Sequence, residues 1–153
     1  LVLAPRPVDL TPADTSSYLR FDLAAALGAR GLRAEPCEIP LDPTSSDVAA
    51  LRVRAADSAG SGGRTVVVGT IDATIHRGQA SLIRALVEDG VRVVAIALRT
   101  PFDLAAYPSV GTYACSYGIQ PPTSEALADG LVGVRPFVGR LPVRLAVATA
   151  VAA

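Results

Sequence analysis

Two apolar runs, residues 65–68 and 91–98, frame the middle of the chain. Both are rich in valine, and continuous β-branched runs mark strands buried on both faces. Between them the period changes. Leu82, Ile83, Leu86 and Val87 recur at helical spacing, the stripe of a helix lying on a core. Gly90 follows directly, where a helix C-terminus favours glycine. Strand, helix and strand with short connections form a βαβ unit, which predicts parallel strands and a right-handed crossover.

The flanks repeat the alternation. Residues 1–4 read as a first strand, and Pro5, Pro7 and Pro12 then forbid regular structure. Asp14, Thr15 and Ser16 offer N-cap chemistry for a helix through Leu19, Leu23, Ala26 and Leu27, ended by Gly28 or Gly31. Residues 32–39 form a weaker strand, and Pro36 within it predicts an edge strand or a bulge. After a loop over 40–46, Val48, Leu51 and Ala55 mark a second helix. Beyond the central unit, residues 110–116 read as a fifth strand. Thr123 or Ser124 would cap a last helix with Glu125 in its first turn, and Gly133 would close it. Residues 139–145 read as a final strand. The pattern predicts one α/β domain over residues 1–153: a three-layer α/β/α sandwich on a mostly parallel sheet of five or six strands.

Composition narrows the function. The chain of 153 residues is half hydrophobic and 18% charged, which fits a packed core rather than disorder. Formal net charge is zero with no basic run, so no nucleic-acid partner is expected. No apolar segment reaches the roughly 18 residues of a membrane-spanning helix, and the start has no signal-peptide pattern. Methionine is absent even at position 1, and residues 1–4 open as though already inside a strand. Both features predict a piece of a longer chain. Cys37 and Cys115 fall in separate predicted strands and are expected to be reduced, buried thiols.

Candidate chemistry concentrates where the parallel strands end, the usual ligand edge of an open α/β sheet. Asp72 stands at the end of the central strand, where a carboxylate reaches a ligand or caps a helix. His76, the single histidine, cannot build a metal site alone. Arg99 follows its strand and could grip a polar partner or form an ion pair. Asp103 has a local explanation: Thr100-Pro101-Phe102-Asp103 supplies a cap residue, a proline at the first helical position and an acid at the third. The run DSAGSGG at 57–63 invites comparison with a phosphate loop. A phosphate loop follows a strand and opens a helix, whereas this one follows a helix and precedes a strand, so it reads as a flexible linker. Glu35, Glu38, Glu88 and Glu125 fall on different elements, and no serine sits in a G-x-S-x-G elbow. No catalytic set, metal or cofactor is indicated.

Three stretches together resemble the C-terminal α/β-sandwich domain of family 3 glycoside hydrolases, in the β-N-acetylglucosaminidase branch. They are the central unit ending in Arg99-Thr100-Pro101-Phe102-Asp103-Leu104, the turn Tyr117-Gly118, and Gly139-Arg140-Leu141-Pro142-Val143. The resemblance covers about residues 64–143. It departs at Phe102, where tyrosine is usual, and at Asp72-Ala73, where Asn-Ala is expected. It implies an accessory domain whose partner is an N-terminal (β/α)8 barrel of the same polypeptide, with the carbohydrate substrate at the interdomain cleft. It also implies that the nucleophilic aspartate and the acid/base lie on that barrel. This chain would then be catalytically incomplete alone, and Asp72, His76, Arg99 and Asp103 would face substrate or partner. An extracytoplasmic setting fits such enzymes, although the fragment carries no address. The rival reading is a flavodoxin-like small-molecule or protein-binding module.

Overall fold

The computed structural model describes residues 1–9, 11–59 and 65–145. Five strands form one sheet: β1 (Val2–Pro5), β2 (Pro36–Ile39), β3 (Thr65–Thr70), β4 (Arg92–Ala97) and β5 (Thr112–Cys115). Their order is β2-β1-β3-β4-β5, and every neighbouring pair is parallel. The two long apolar runs become the six-residue pair β3–β4, aligned from Thr65 beside Arg92 to Thr70 beside Ala97. Pro36 is tolerated because β2 is an edge strand and the proline is its first residue.

Helices cover both faces. The helices α2 (Ser45–Ala59) and α3 (Arg77–Glu88) pack on one, and α1 (Leu23–Gly28) and α4 (Pro121–Leu131) on the other. Alternate strand residues feed the two cores. Leu3, Val66, Val68, Val93 and Ala95 join Leu51, Ala55, Leu82, Ile83 and Leu86. Val2, Val67 and Ile96 join Leu23, Ala26, Leu27, Leu127 and Ala128. Both faces of β3 are therefore buried, which is why its sequence is continuously apolar rather than alternating.

Local chemistry sets the helix ends. Thr44 and Asp47 cap α2 reciprocally: the Thr44 N–H donates to Asp47 Oδ2 at 2.8 Å, and the Asp47 N–H donates to Thr44 Oγ1 at 3.2 Å. Gly90, at φ 74°, ends α3 in the left-handed conformation that glycine adopts without strain. At the other end of α3, the Gly78 N–H donates to Asp42 Oδ1 at 2.7 Å, and a Cβ on Gly78 would collide with the Pro43 backbone. The α3 N-terminus is thus seated on the β2–α2 loop.

Some expectations about element boundaries change. The first helix starts at Leu23, not near residue 15; Asp14 instead accepts the Ser16 N–H at 2.9 Å beside a 3-10 turn at Ser16–Tyr18. Asp9 also takes the Ser17 N–H, at 2.7 Å, so side-chain acceptors hold this segment out of the helix. The last helix starts at Pro121 with Gln120 as its extended N-cap, because consecutive prolines fit the first helical positions better than Thr123 or Ser124 fit a cap. Residues 139–145 form no strand; Gly139 and Pro142 interrupt the run. The linker begins later than its composition predicts, since Asp57 and Ser58 are helical. The glycine-rich part of that linker lies outside the described residues.

Cys37 and Cys115 are free thiols on β2 and β5, the opposite edges of the sheet, and both are half-buried rather than buried. No described helix is long and apolar enough to cross a membrane.

Candidate functional site

The strand order places the reversal of winding between β1 and β3, and crevices of open α/β sheets form at such switch points, outside the carboxyl ends. Beside that switch point, the loops leaving β3 and β4 are bolted together. Thr70 ends β3 with its side chain fully buried. Its hydroxyl donates to Asp103 Oδ2 at 2.6 Å and lies 2.9 Å from the Tyr107 hydroxyl. Asp103 Oδ1 accepts the Ala73 N–H at 3.0 Å. The Tyr113 hydroxyl on β5 donates to the Pro101 carbonyl at 2.8 Å.

Burial dominates the electrostatics of this network. It pushes the Asp103 carboxyl above the ordinary aspartate range, against the bonds from Thr70 and Ala73, with the Asp72 charge pushing the same way and His76 opposing. Burial also raises the Tyr107 and Tyr113 phenols, so both remain protonated donors. Asp103 is therefore not the helix cap that its local pattern predicts. The 3-10 turn Pro101–Ala106 has Thr100 at its N-cap without a side-chain bond, and the Asp103 carboxylate, 1% exposed, is spent on β3 and its loop.

The sequence reading missed Gln79. Its side chain is fully buried at the start of α3. The Ile71 N–H donates to its Oε1 at 2.8 Å, and its Nε2 donates to the Ile71 carbonyl at 2.9 Å and the Leu41 carbonyl at 2.6 Å. One amide thus satisfies both backbone groups of the residue that leaves β3. The available signal was its place three residues before Leu82, on the apolar stripe, where a polar side chain needs a buried partner.

Asp72 follows in the left-handed region at φ 50°; Tyr117, after β5, shares that conformation at φ 52°. The Asp72 carbonyl accepts the N–H groups of Ile75 and His76 at 2.8 and 2.9 Å. His76 is the N-cap residue of α3, half-buried, and its side chain makes no cap bond. Arg99 leans away toward the β1–α1 loop. Its Nη2 donates to the Val8 carbonyl at 2.8 Å and lies 3.6 Å from Asp14, while Nη1 is buried without a hydrogen-bond partner among the described residues. Of the four predicted residues, Asp72, His76 and Asp103 gather around the ends of β3 and β4, and Arg99 ties that group to the loop after β1.

A parallel α/β sandwich with a rigid polar carboxyl edge is the class this geometry defines. No protein-family description matches the chain, and no curated protein does. Solved structures do. The fold superposes on a glycoside hydrolase family 3 β-N-acetylglucosaminidase from Paenibacillus sp. str. FPU-7 with a TM-score of 0.69 and 29% identity, over 86% of this chain and 25% of that one. It also matches a fungal multi-domain family 3 β-N-acetylglucosaminidase, described as containing a GCN5-related glucosamine N-acetyltransferase region. There the TM-score is 0.66 and the identity 21%, over 99% of this chain and 16% of that one. The chain is therefore similar to a domain-sized part of family 3 β-N-acetylglucosaminidases, as an accessory domain would be, and spans a quarter or less of the matched chains.

Proposed function

We propose that this chain serves as the accessory α/β domain of a β-N-acetylglucosaminidase-like hydrolase and is catalytically incomplete by itself. The observation that carries the reading is the joint agreement of fold and sequence, 29% identity across 86% of the chain, with a protein of which the match covers 25%. The same strand order would serve a free-standing binding module, and the sequence identity favours the hydrolase. The chemistry agrees. Retaining hydrolysis between two carboxylates needs both groups free and about 5 Å apart. At this edge both oxygens of Asp103 are committed, to Thr70 and to Ala73, so Asp72 has no second free carboxylate to work with. In this reading a (β/α)8 barrel of the same polypeptide supplies nucleophile and acid/base, and it faces the edge carrying Asp72, His76, Arg99 and Asp103.

The test is an assay of the purified chain, beside the whole reading frame that contains it, on aryl β-N-acetylglucosaminides and aryl β-glucosides. The expected result is no turnover by the chain and turnover of the acetylglucosaminide by the whole product. Turnover by the chain alone, abolished by a point mutation within it, would overturn the reading.

A further inference from the structure

The backbone around Asp72 is held from both sides. Both backbone polar groups of Ile71, before it, are taken by Gln79. The N–H of Ala73, after it, is taken by Asp103. The two clamping side chains are themselves buried, at 0% and 1% exposure. Between the clamps Asp72 adopts a left-handed conformation that is uncommon outside glycine, although aspartate enters it more readily than most residues. Such strain persists only where the surroundings over-determine it, and it clusters at functional positions.

What the clamp presents is an unmatched acceptor. The Asp72 carboxylate is half-buried and has no hydrogen-bond or ion-pair partner among the described residues. A carboxylate partly withdrawn from water is best satisfied by strong donors from outside. Large apolar side chains leave the same edge. Phe102 follows β4 and Tyr117 follows β5, each 51% exposed, and Ile75, 72% exposed, lies in the loop after β3. Exposed apolar side chains along the same sheet edge as one fixed acceptor suit a molecule with hydroxyl donors on its rim and C–H groups on its face, which describes a pyranose ring.

We propose that Asp72 is a saccharide-contacting residue that accepts ring hydroxyls of a β-linked amino sugar, with Gln79 and Asp103 as positioning residues and Phe102 and Tyr117 against the apolar face. The choice of an amino sugar rests on the hydrolase reading above; the acceptor and its clamps rest on the geometry.

The experiment is a two-dimensional amide NMR titration of this chain with the disaccharide of β-linked N-acetylglucosamine, taken to tens of millimolar. Saturable shifts confined to residues 71–76, 102 and 117 are expected. Asp72→Gly keeps the backbone conformation without strain and should weaken binding about tenfold or more. Asp72→Asn keeps one acceptor and should weaken it less. Gln79→Leu should also weaken it; spectral dispersion shows in the same experiment whether that variant is folded, and the two Asp72 variants decide the matter if it is not. No saturable shift in the wild type, or an unchanged affinity in Asp72→Gly, overturns the proposal. Its failure is separable from that of the hydrolase reading. Sugar binding with an inactive whole product would remove the hydrolase and leave Asp72, whereas an active whole product with no binding dependence on Asp72 would do the reverse.

Discussion

Replacing Asp103 with alanine removes the acceptor for two buried donors at once. The Ala73 N–H loses its partner at 3.0 Å and the Thr70 hydroxyl loses its partner at 2.6 Å. A buried donor left unpaired costs about 1–3 kcal/mol. Thr70 retains the Tyr107 hydroxyl at 2.9 Å, so one of that pair can still donate to the other, and the hydroxyl loss is partial. Removing the carboxylate also relieves its desolvation, visible in the upward displacement of its titration. The net loss is expected near 2 kcal/mol, from one unpaired amide plus a smaller hydroxyl term less the relieved burial. For a chain of this size that lowers Tm by about 4–8 °C. Urea unfolding followed by far-UV circular dichroism at neutral pH measures it. Thr70→Val supplies the second arm of a double-mutant cycle, and the double variant should lose less than the sum of the singles, since the two residues share a bond. The sign of the pH dependence follows from the raised folded-state value. The folded chain holds the Asp103 proton more tightly than the unfolded chain, so this group favours the fold most below the ordinary aspartate value and that contribution is lost as pH rises through the folded value. Asp103→Asn should remove this slope between acid and neutral pH. A loss below about 0.5 kcal/mol in Asp103→Ala, the range of an ordinary surface substitution, would refute the network as a structural bolt.

The same buried contacts set three further outcomes. Gln79→Leu strands the buried N–H of Ile71 along with two carbonyl acceptors and should cost about 2–4 kcal/mol in the same urea experiment. Gly78→Ala drives a methyl group into the Pro43 backbone and should cost about 1–3 kcal/mol, as overpacking does; a variant as stable as the wild type would show that the β2–α2 loop can withdraw. Cys37 and Cys115, on opposite sheet edges, should give two free thiols per chain on titration under denaturing, non-reducing conditions, and finding none would contradict the strand order.

The central βαβ unit was legible because its cause is local. A strand buried on both faces must be apolar at every position, so Val66, Val67 and Val68 announce β3 without knowledge of its neighbours. The first helix was misplaced for an equally local reason: Asp9 and Asp14 offered acceptors to Ser16 and Ser17, and such side-chain bonds compete with a helix rather than start one. The candidate site was legible only in part. Topology alone brings Asp72, His76 and Asp103 to one edge, because the ends of neighbouring parallel strands are adjacent. The state of each residue there depends on distant partners. Asp103 sits in a flawless local capping pattern, yet its carboxylate is claimed by Thr70, 33 residues earlier, and no property of the tetrapeptide could reveal that.

That difference identifies where function should be sought along this edge. A residue whose polar atoms are consumed inside the fold, as Asp103 and Gln79 are, has its chemistry fixed by the domain and can act on a ligand only by placing another residue. Arg99 is intermediate: one nitrogen is spent on Val8 and another is buried without a hydrogen-bond partner among the described residues, so it steadies the loop after β1 before it does anything else. Asp72 differs from all three, being held by its neighbours while its own carboxylate holds nothing. Strain in the backbone and an unused acceptor, both held in place by buried side chains, are costs to the isolated domain that no contact among the described residues offsets. A ligand or partner whose donors meet that carboxylate is the term that would balance them.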